Sequence, residues 1–91
     1  MIIKAKYFNL FKNIVGKKEE KIELDDNATL EDLVWVLEDK YGKKLTSKVF
    51  NKEGELSPHV NINIKGENIR DLDFELTNFD EVYFFVTISG G

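Results

Sequence analysis

The sequence predicts a single α+β domain in which one main helix covers one face of a sheet. Segments with apolar residues at every second position, typical of half-buried strands, stand on both sides of one long segment with apolar residues at helical spacing. The most apolar strand comes last, and such a strand is usually central in its sheet. The chain has 91 residues and 42% apolar content, so residues 1–91 are the size of one domain.

The first part of the chain predicts a hairpin with a long connection. In residues 2–8, apolar side chains alternate with lysines, except that Phe8 falls on the lysine side. Apolar residues at helical spacing in residues 10–15 predict a short helical turn that closes at Gly16. Residues 21–24 alternate again and predict the second strand.

The main helix is predicted by its start, its apolar stripe and its end. Thr29, with Asp32 three residues later, resembles a capping box, and Gly42 is typical of a C-terminal cap. Trp35 lies off the stripe, and we expect it to pack under a neighbouring loop rather than to contact a partner. The stripe has the spacing of one helix face and consists of Leu30, Leu33, Val34, Leu37 and Tyr41.

The second half of the chain predicts strands that are connected by turns. Residues 45–50 fit either a helical turn or a short strand, and residues 51–54 fit a turn. Residues 60–64 alternate cleanly and predict the third strand, while residues 67–70 can add a very short one. Before the last strand, we expect four apolar side chains to enter the core in part: Leu72, Phe74, Leu76 and Phe79.

The last strand, residues 82–87, is apolar on both faces. A single helix covers only one face of a sheet, so either loops shield Tyr83 and Phe85 or these rings form an exposed patch. If the first and last strands are neighbours, Phe8 lies close to Phe85. An exposed apolar patch of this kind usually marks a site where a partner protein binds.

The composition excludes several kinds of site. The chain has no Cys and one His, which rules out disulfides, thiolate metal sites and multi-histidine metal sites. We therefore expect His59 to be an ordinary loop or surface residue. A net charge of -4 disfavours direct binding to nucleic acid. The sequence shows no signal peptide and no membrane-spanning run, so we expect a cytoplasmic protein that binds no membrane.

The tail, residues 88–91, ends in two glycines shortly after the apolar strand. Glycine has no side chain to obstruct a close approach by another protein, and we expect this tail to be flexible. The α-carboxyl group of Gly91 has an ordinary pKa of about 3.3–3.7, so it is an unreactive anion at neutral pH. Any reaction at this group must begin by activating it.

Four stretches of the chain resemble the family of small sulfur carriers that includes the small subunit of molybdopterin synthase. They are YFNLFKNIVG at residues 7–16, TLEDLVWVL at residues 29–37, PHVNINIKG at residues 58–66, and DEVYFF at residues 80–85 with the final SGG. The resemblance covers nearly the whole chain. It departs from the family at Asn78-Phe79, where the family often has Asp-Gly, and at residues 86–88, where the family often has prolines.

The resemblance implies a β-grasp, or ubiquitin-like, fold with a mixed sheet of four to five strands and one main helix. It also implies a non-catalytic subunit whose Gly91 is adenylated with ATP by a partner related to the ubiquitin-activating enzymes and then converted to a thiocarboxylate. The large subunit of molybdopterin synthase would use this sulfur to build the dithiolene of the pterin precursor. The chain itself would hold no cofactor and no metal.

The same resemblance implies the residues of the site. Gly91 would carry the sulfur, and the preceding tail residues would thread a narrow channel of the partner. These tail residues are Gly90, Ser89 and Ile88. The residues expected to bind the partner protein are Phe8, Lys12, Tyr83 and Phe85.

Three other functions remain compatible with the sequence. An activated Gly91 could join the chain to lysines of target proteins, as a ubiquitin-like modifier does. The carrier could instead supply sulfur for tRNA or thiamin, in which case a partner enzyme would make any contact with RNA. The third alternative is a plain interaction module, which would still function after deletion of Gly90 and Gly91.

Overall fold

The computed structural model describes residues 1–87, which form five strands and three helices around one core. The strands are β1 (Ile2–Tyr7), β2 (Glu19–Glu23), β3 (Val60–Ile64), β4 (Glu67–Asn68) and β5 (Glu81–Val86). The helices are α1 (Leu10–Val15), α2 (Leu30–Tyr41) and α3 (Lys43–Val49). The predicted strands and main helix are therefore all present, in the predicted order.

The strands form one mixed sheet in the order β2-β1-β5-β3-β4. β5 lies at its centre, parallel to β1 and antiparallel to β3, so the last strand is central, as its apolar composition predicts. β1 and β2 are antiparallel neighbours, which confirms the predicted hairpin. Its long connection contains α1, which ends at Gly16 in the left-handed conformation that glycine adopts without strain.

One face of the sheet packs against the helices and forms the core. Along β1 the buried residues are Ile3, Ala5 and Tyr7, and along β5 they are Val82 and Phe84. The rings of Tyr7 and Phe84 stack with centroids 5.9 Å apart between the two strands. Only every second residue of these strands is buried, which shows that the helices cover one face of the sheet and leave the other face open.

α2 begins and ends where the sequence predicts. The Asp32 N–H donates to the Thr29 hydroxyl, and the Asp32 carboxylate accepts from the Thr29 N–H, which completes the capping box. At the other end, the Gly42 N–H donates to the Glu38 carbonyl oxygen at 2.7 Å. The first four residues of the apolar stripe are buried, and only Tyr41 is half-buried.

The ambiguous segment at residues 45–50 is mostly helical. α3 follows α2 directly after Gly42 and buries Leu45 and Val49 in the core. The sheet is therefore covered by one main helix and two short ones. A single helix about 10–12 Å wide cannot cover five strands that extend about 19 Å at about 4.8 Å per strand.

The expectation that Phe79 enters the core is wrong. Leu76 is buried and Leu72 and Phe74 are half-buried, but Phe79 is 75% exposed. Its φ is 70°, in the left-handed region that a bulky side chain adopts only with strain. The backbone of this turn is held in place, because the Phe79 N–H donates to the Ile2 carbonyl oxygen at 2.7 Å. The ring therefore stands outside the core.

Candidate functional site

The face of the sheet opposite the helices is open and carries three of the residues predicted to bind a partner. Side chains alternate along each strand, so burial of one face of β5 leaves Tyr83 and Phe85 on the open face. In the parallel pairing of β1 with β5, Lys6 stands opposite Tyr83, and Phe8 follows the last paired residue of β1. The first and last strands are therefore neighbours. This is the condition under which the sequence predicts that Phe8 lies close to Phe85.

Phe8, Tyr83 and Phe85 form an aromatic patch on the open face. The rings of Phe8 and Tyr83 stack with centroids 5.8 Å apart and planes 4° apart. All three residues, together with Asn9 and Asn63, line a shallow depression of about 390 Å³. Phe8 is 42% exposed, and Tyr83 and Phe85 are half-buried, so the structure favours an exposed patch over loop cover.

Tyr83 is held in place by a charged pair beside the aromatic patch. Its hydroxyl donates to Glu81 Oε1 at 2.9 Å and accepts from Lys6 Nζ at 3.4 Å, and Lys6 pairs with Glu81 at 3.1 Å. Hydrogen bonds from Tyr83 and then Lys6 lower the pKa of Glu81. Hydrogen bonds to Glu81 and then Tyr83 raise the pKa of Lys6. Both groups are therefore charged at neutral pH and give the patch a polar rim.

The last described residues lead from the aromatic patch towards the tail. The Thr87 N–H donates to the His59 carbonyl oxygen at 2.8 Å, which extends the attachment of β5 to β3 beyond Val86. The side-chain amide of Asn61 donates to the Thr87 hydroxyl. The predicted tail residues lie outside the described part of the chain: Ile88, Ser89, Gly90 and Gly91.

Lys12, the remaining residue predicted to bind a partner, lies on α1. It is exposed, and it is outside the set of described residues that line the depression. Its carbonyl oxygen accepts from the Gly16 N–H at 2.8 Å, so its backbone closes the helix. Three of the four predicted partner-binding residues therefore line the depression, and Lys12 is not among the described residues that line it.

Trp35 lies on α2, on the covered side of the sheet rather than at the aromatic patch. Its ring packs against Phe50, the residue that follows α3, with centroids 5.7 Å apart. The predicted packing against a neighbouring segment is thus present but incomplete, because Trp35 stays 48% exposed.

A buried carboxylate that the sequence patterns did not single out lies on the inner side of β2. The Glu20 side chain is 8% exposed and accepts hydrogen bonds from the Tyr7 hydroxyl at 2.7 Å and the Tyr41 hydroxyl at 2.5 Å. Lys40 Nζ donates to its other oxygen at 2.7 Å. Burial raises the pKa of Glu20, but hydrogen bonds from Lys40, Tyr41 and Tyr7 outweigh burial and lower the pKa to about 2.

This cluster around Glu20 joins β1, β2 and α2. Burial, together with the hydrogen bond to Glu20, raises the pKa of Tyr7, which therefore stays protonated as a donor. The cluster lies on the core side, away from the aromatic patch, and its role is to hold three elements together. The burial of Glu20 is indicated by the alternation of β2, because Glu20 shares the inner face of that strand with the buried Ile22.

The described part of the chain offers neither a metal site nor a membrane-spanning helix. Residues 1–87 contain no group of three or more His, Asp or Glu side chains that could hold a metal ion. His59 is exposed, as predicted. None of the helices in this part of the chain is long and apolar enough to cross a membrane.

Comparison with known proteins relates the chain to small carriers and modifiers. The model of the ThiS family matches residues 5–91. The chain is 32% identical to small archaeal modifier protein 3 of Haloferax volcanii over the full length of both proteins. It is 35% identical to a protein of Archaeoglobus fulgidus that is provisionally named a sulfur carrier, over 77% of this chain and 83% of that protein.

Solved structures share the fold. The crystal structure of SAMP1 from Haloferax volcanii matches with a TM-score of 0.87 and 28% identity over the whole of both chains. A Pyrococcus furiosus protein provisionally named molybdopterin converting factor, subunit 1, matches with a TM-score of 0.78 and 29% identity, over 97% of this chain and 99% of that one. The mixed five-stranded sheet and its helices are thus those of a ubiquitin-like β-grasp fold, which confirms the predicted fold class.

Proposed function

Because the chain belongs to the ThiS family, we propose that it is a sulfur carrier whose cargo is held on the carboxyl group of Gly91. The observation that carries the proposal is the position of the aromatic patch on the strand that leads to the tail. Phe85 belongs to this patch and lies two residues before Thr87. The five residues 87–91 span at most about 18 Å when extended, at about 3.3–3.6 Å per residue. A protein that docks on the patch is therefore within reach of Gly91.

The proposed chemistry takes place in two steps at the Gly91 carboxylate. One carboxylate oxygen attacks the α-phosphorus of ATP on a partner enzyme, which forms an acyl adenylate and releases pyrophosphate. Hydrosulfide, supplied by a sulfur donor, then attacks the carbonyl carbon, expels AMP and loses its proton, which leaves a thiocarboxylate. Adenylation comes first because the carboxylate is an anion at neutral pH and a poor electrophile. In this scheme the chain supplies the reacting group and the docking surface, and its partners supply catalysis.

We assign two protein partners to this function. The first is an adenylating enzyme related to the ubiquitin-activating enzymes, and ATP is a substrate of that enzyme rather than a cofactor of this chain. The second is the catalytic subunit that consumes the sulfur, with the large subunit of molybdopterin synthase as the first candidate. The resemblance of four stretches and the similarity to the Pyrococcus furiosus protein support this acceptor.

The aromatic patch suits protein docking for physical reasons. Aromatic rings bury large areas and dominate the energetics of many interfaces. The charged pair of Lys6 and Glu81 beside the rings supplies the polar rim that such interfaces have. A typical interface buries about 800 Å² on each partner, which is more than the three rings of the patch supply. We therefore propose that the contact extends over neighbouring residues, with exposed Lys12 as one candidate.

Measurement of the intact mass tests the proposed function. The chain is incubated with the adenylating enzyme of the same genome, ATP and sulfide. We expect a mass increase equal to the exchange of one oxygen for sulfur, and only when ATP is present. A chain without Gly90 and Gly91 is the control and should gain nothing. Release of pyrophosphate without any gain of sulfur would contradict the sulfur-carrier function.

A second function, conjugation to other proteins, is favoured by the 32% identity to small archaeal modifier protein 3. The same acyl adenylate would react with a lysine amino group of the target protein, expel AMP and form an amide. Because Arg70 is the last Lys or Arg of the chain, trypsin would leave residues 71–91 attached to a modified lysine. Recovery of such branched peptides from cells would support conjugation. A deletion strain scored for pterin cofactor, thiolated tRNA and thiamin would separate the possible sulfur acceptors.

A further inference from the structure

Thr87, the last described residue, is held at two points, by His59 just before β3 and by Asn61 within β3. The Thr87 N–H donates to the His59 carbonyl oxygen at 2.8 Å, and the Thr87 hydroxyl accepts from the side-chain amide of Asn61. Thr87 follows Val86, the last residue of β5, which pairs with Val60 on β3. The chain is thus attached for one residue beyond the end of β5, by a backbone bond to His59 and by a side-chain bond to Asn61 of β3.

Asn61 is an uncommon residue for its position. It lies within β3 opposite Phe85 of the central strand, where β-branched and aromatic residues are favoured and Asn is disfavoured. Its neighbours Val60 and Ile62 are β-branched and buried, whereas Asn61 lies on the open face. A Val or Ile at this position would suit the strand better but could not donate to the Thr87 hydroxyl. The stability of the strand alone does not call for an amide here.

We propose that the hydrogen bond between Asn61 and Thr87 positions the tail for reaction, a role that rests on the proposed function at Gly91. The bond fixes the point at which the last four residues begin. That point lies on the same face of the sheet as the aromatic patch, two residues beyond Phe85. A partner docked on the patch then meets the start of the tail at a constant place. Asn61 and Thr87 are positioning residues, because they act on the reacting group through the tail.

This arrangement should affect the rate of reaction rather than the strength of docking. A reacting group that is held in the right place has a higher effective concentration at the partner's active site. When the bond between Asn61 and Thr87 is lost, Thr87 is held by its backbone bond to His59 alone, and the starting point of the last four residues is less firmly fixed. A smaller fraction of the docked complexes then has the Gly91 carboxylate next to ATP. The aromatic patch is unchanged, so the affinity for the partner stays the same.

Three substitutions separate positioning from a purely structural role. Thr87→Val removes the hydroxyl and keeps the shape, Asn61→Ala removes the amide, and Thr87→Ser keeps the hydroxyl as a conservative control. Each chain is loaded with sulfur by the adenylating enzyme of the same genome, ATP and sulfide. At saturating enzyme we expect Thr87→Val and Asn61→Ala to be loaded about three- to tenfold more slowly. Their dissociation constants and the loading rate of Thr87→Ser should stay within about twofold of the native values.

A double substitution tests whether the two residues act as one pair. Thr87→Val combined with Asn61→Ala should slow loading no more than either single substitution, because each removes the same hydrogen bond. Hydrogen exchange at the backbone amide of position 87 gives a readout that does not depend on activity. Exchange should accelerate in Thr87→Val and Asn61→Ala and stay at the native rate in Thr87→Ser.

The possible failures are distinguishable. If the native chain is loaded and both Thr87→Val and Asn61→Ala are loaded at the native rate, the positioning role is wrong and the proposed function stands. Equal slowing in Thr87→Ser would also overturn the positioning role, because the hydroxyl is retained. A tenfold loss of affinity in Asn61→Ala would place Asn61 in the docking surface instead. If the native chain is never loaded, the proposed function fails and the positioning role fails with it.

Discussion

Phe8 and Tyr83 stack with ring planes 4° apart and centroids 5.8 Å apart, across the parallel pairing of the first and last strands. This contact exists only when β1 and β5 are neighbours, so the aromatic patch is a property of the folded chain. The strand that carries Tyr83 and Phe85 also leads to Thr87. A partner that recognises the patch therefore recognises the folded state and the start of the tail together.

Replacement of Phe85 by Asp should weaken partner binding and leave the fold intact. Phe85 is half-buried on the open face, so Phe85→Asp removes a ring from the patch and places a charge there. We expect the dissociation constant for the adenylating enzyme to rise at least about tenfold, which corresponds to about 1.4 kcal/mol. Titration calorimetry measures the change, and Phe85→Leu, which keeps an apolar side chain, should retain most of the affinity. Normal binding by Phe85→Asp would place the docking surface elsewhere.

Phe79→Gly should give a more stable protein than Phe79→Ala. Both substitutions remove a ring that is mostly exposed, so both lose little packing. Only glycine adopts a φ of 70° without strain, and the left-handed conformation costs other residues about 1–2 kcal/mol. In urea denaturation we expect the free energy of unfolding of Phe79→Gly to exceed that of Phe79→Ala by about 1 kcal/mol. Equal values would mean that the turn before β5 relaxes to another conformation when the ring is removed.

Glu20 should make the stability of the fold sensitive to acid. Its pKa is about 2 in the folded chain against an ordinary value of 4.5, so folding favours the ionised carboxylate. The stabilising contribution is complete above pH 4.5 and is lost as the pH falls towards 2. The free energy of unfolding, measured in urea at a series of pH values, should fall more steeply over this range for the native chain than for Glu20→Gln. Parallel curves for the two proteins would contradict the assignment.

At neutral pH, Glu20→Gln should lower the free energy of unfolding by about 2 kcal/mol, because it removes the charged acceptor of two tyrosine hydroxyls and Lys40. Glu23→Gln is a matched control, since Glu23 lies on the same strand and is exposed. This control should change the free energy of unfolding by less than about 0.5 kcal/mol. A loss in Glu20→Gln no larger than in the control would mean that the buried cluster does not stabilise the fold.

The parts of the fold that depend on neighbouring residues are predictable from the sequence. Alternation in β1, β3 and β5 predicts the strands and their inner faces, because burial of one face selects every second residue. The capping box of Thr29 and Asp32 predicts the start of α2, because it forms within one turn of helix. The aromatic patch is predictable for the same reason as the strands, since Tyr83 and Phe85 fall on the outer side of the alternation.

The features that depend on distant residues were not predictable. The ring of Phe8 stacks on Tyr83 rather than on Phe85, and this choice depends on the register of β1 against β5. The outward direction of Phe79 depends on a hydrogen bond to the start of β1, and Glu20 finds its partners on β1 and α2. α3 was ambiguous because seven residues are too few for periodicity to separate a helix from a strand.

The central claim is that this scaffold presents the carboxyl group of Gly91 itself, and its most direct test is a chain lengthened by one alanine after Gly91. The extra residue moves the reacting group by about 3.3–3.6 Å and replaces the terminal glycine by a residue with a Cβ. After incubation with the adenylating enzyme, ATP and sulfide, the intact mass of the native chain should show one oxygen exchanged for sulfur. The lengthened chain should keep its extra residue and show no exchange. Equal loading of the lengthened and native chains would contradict the claim.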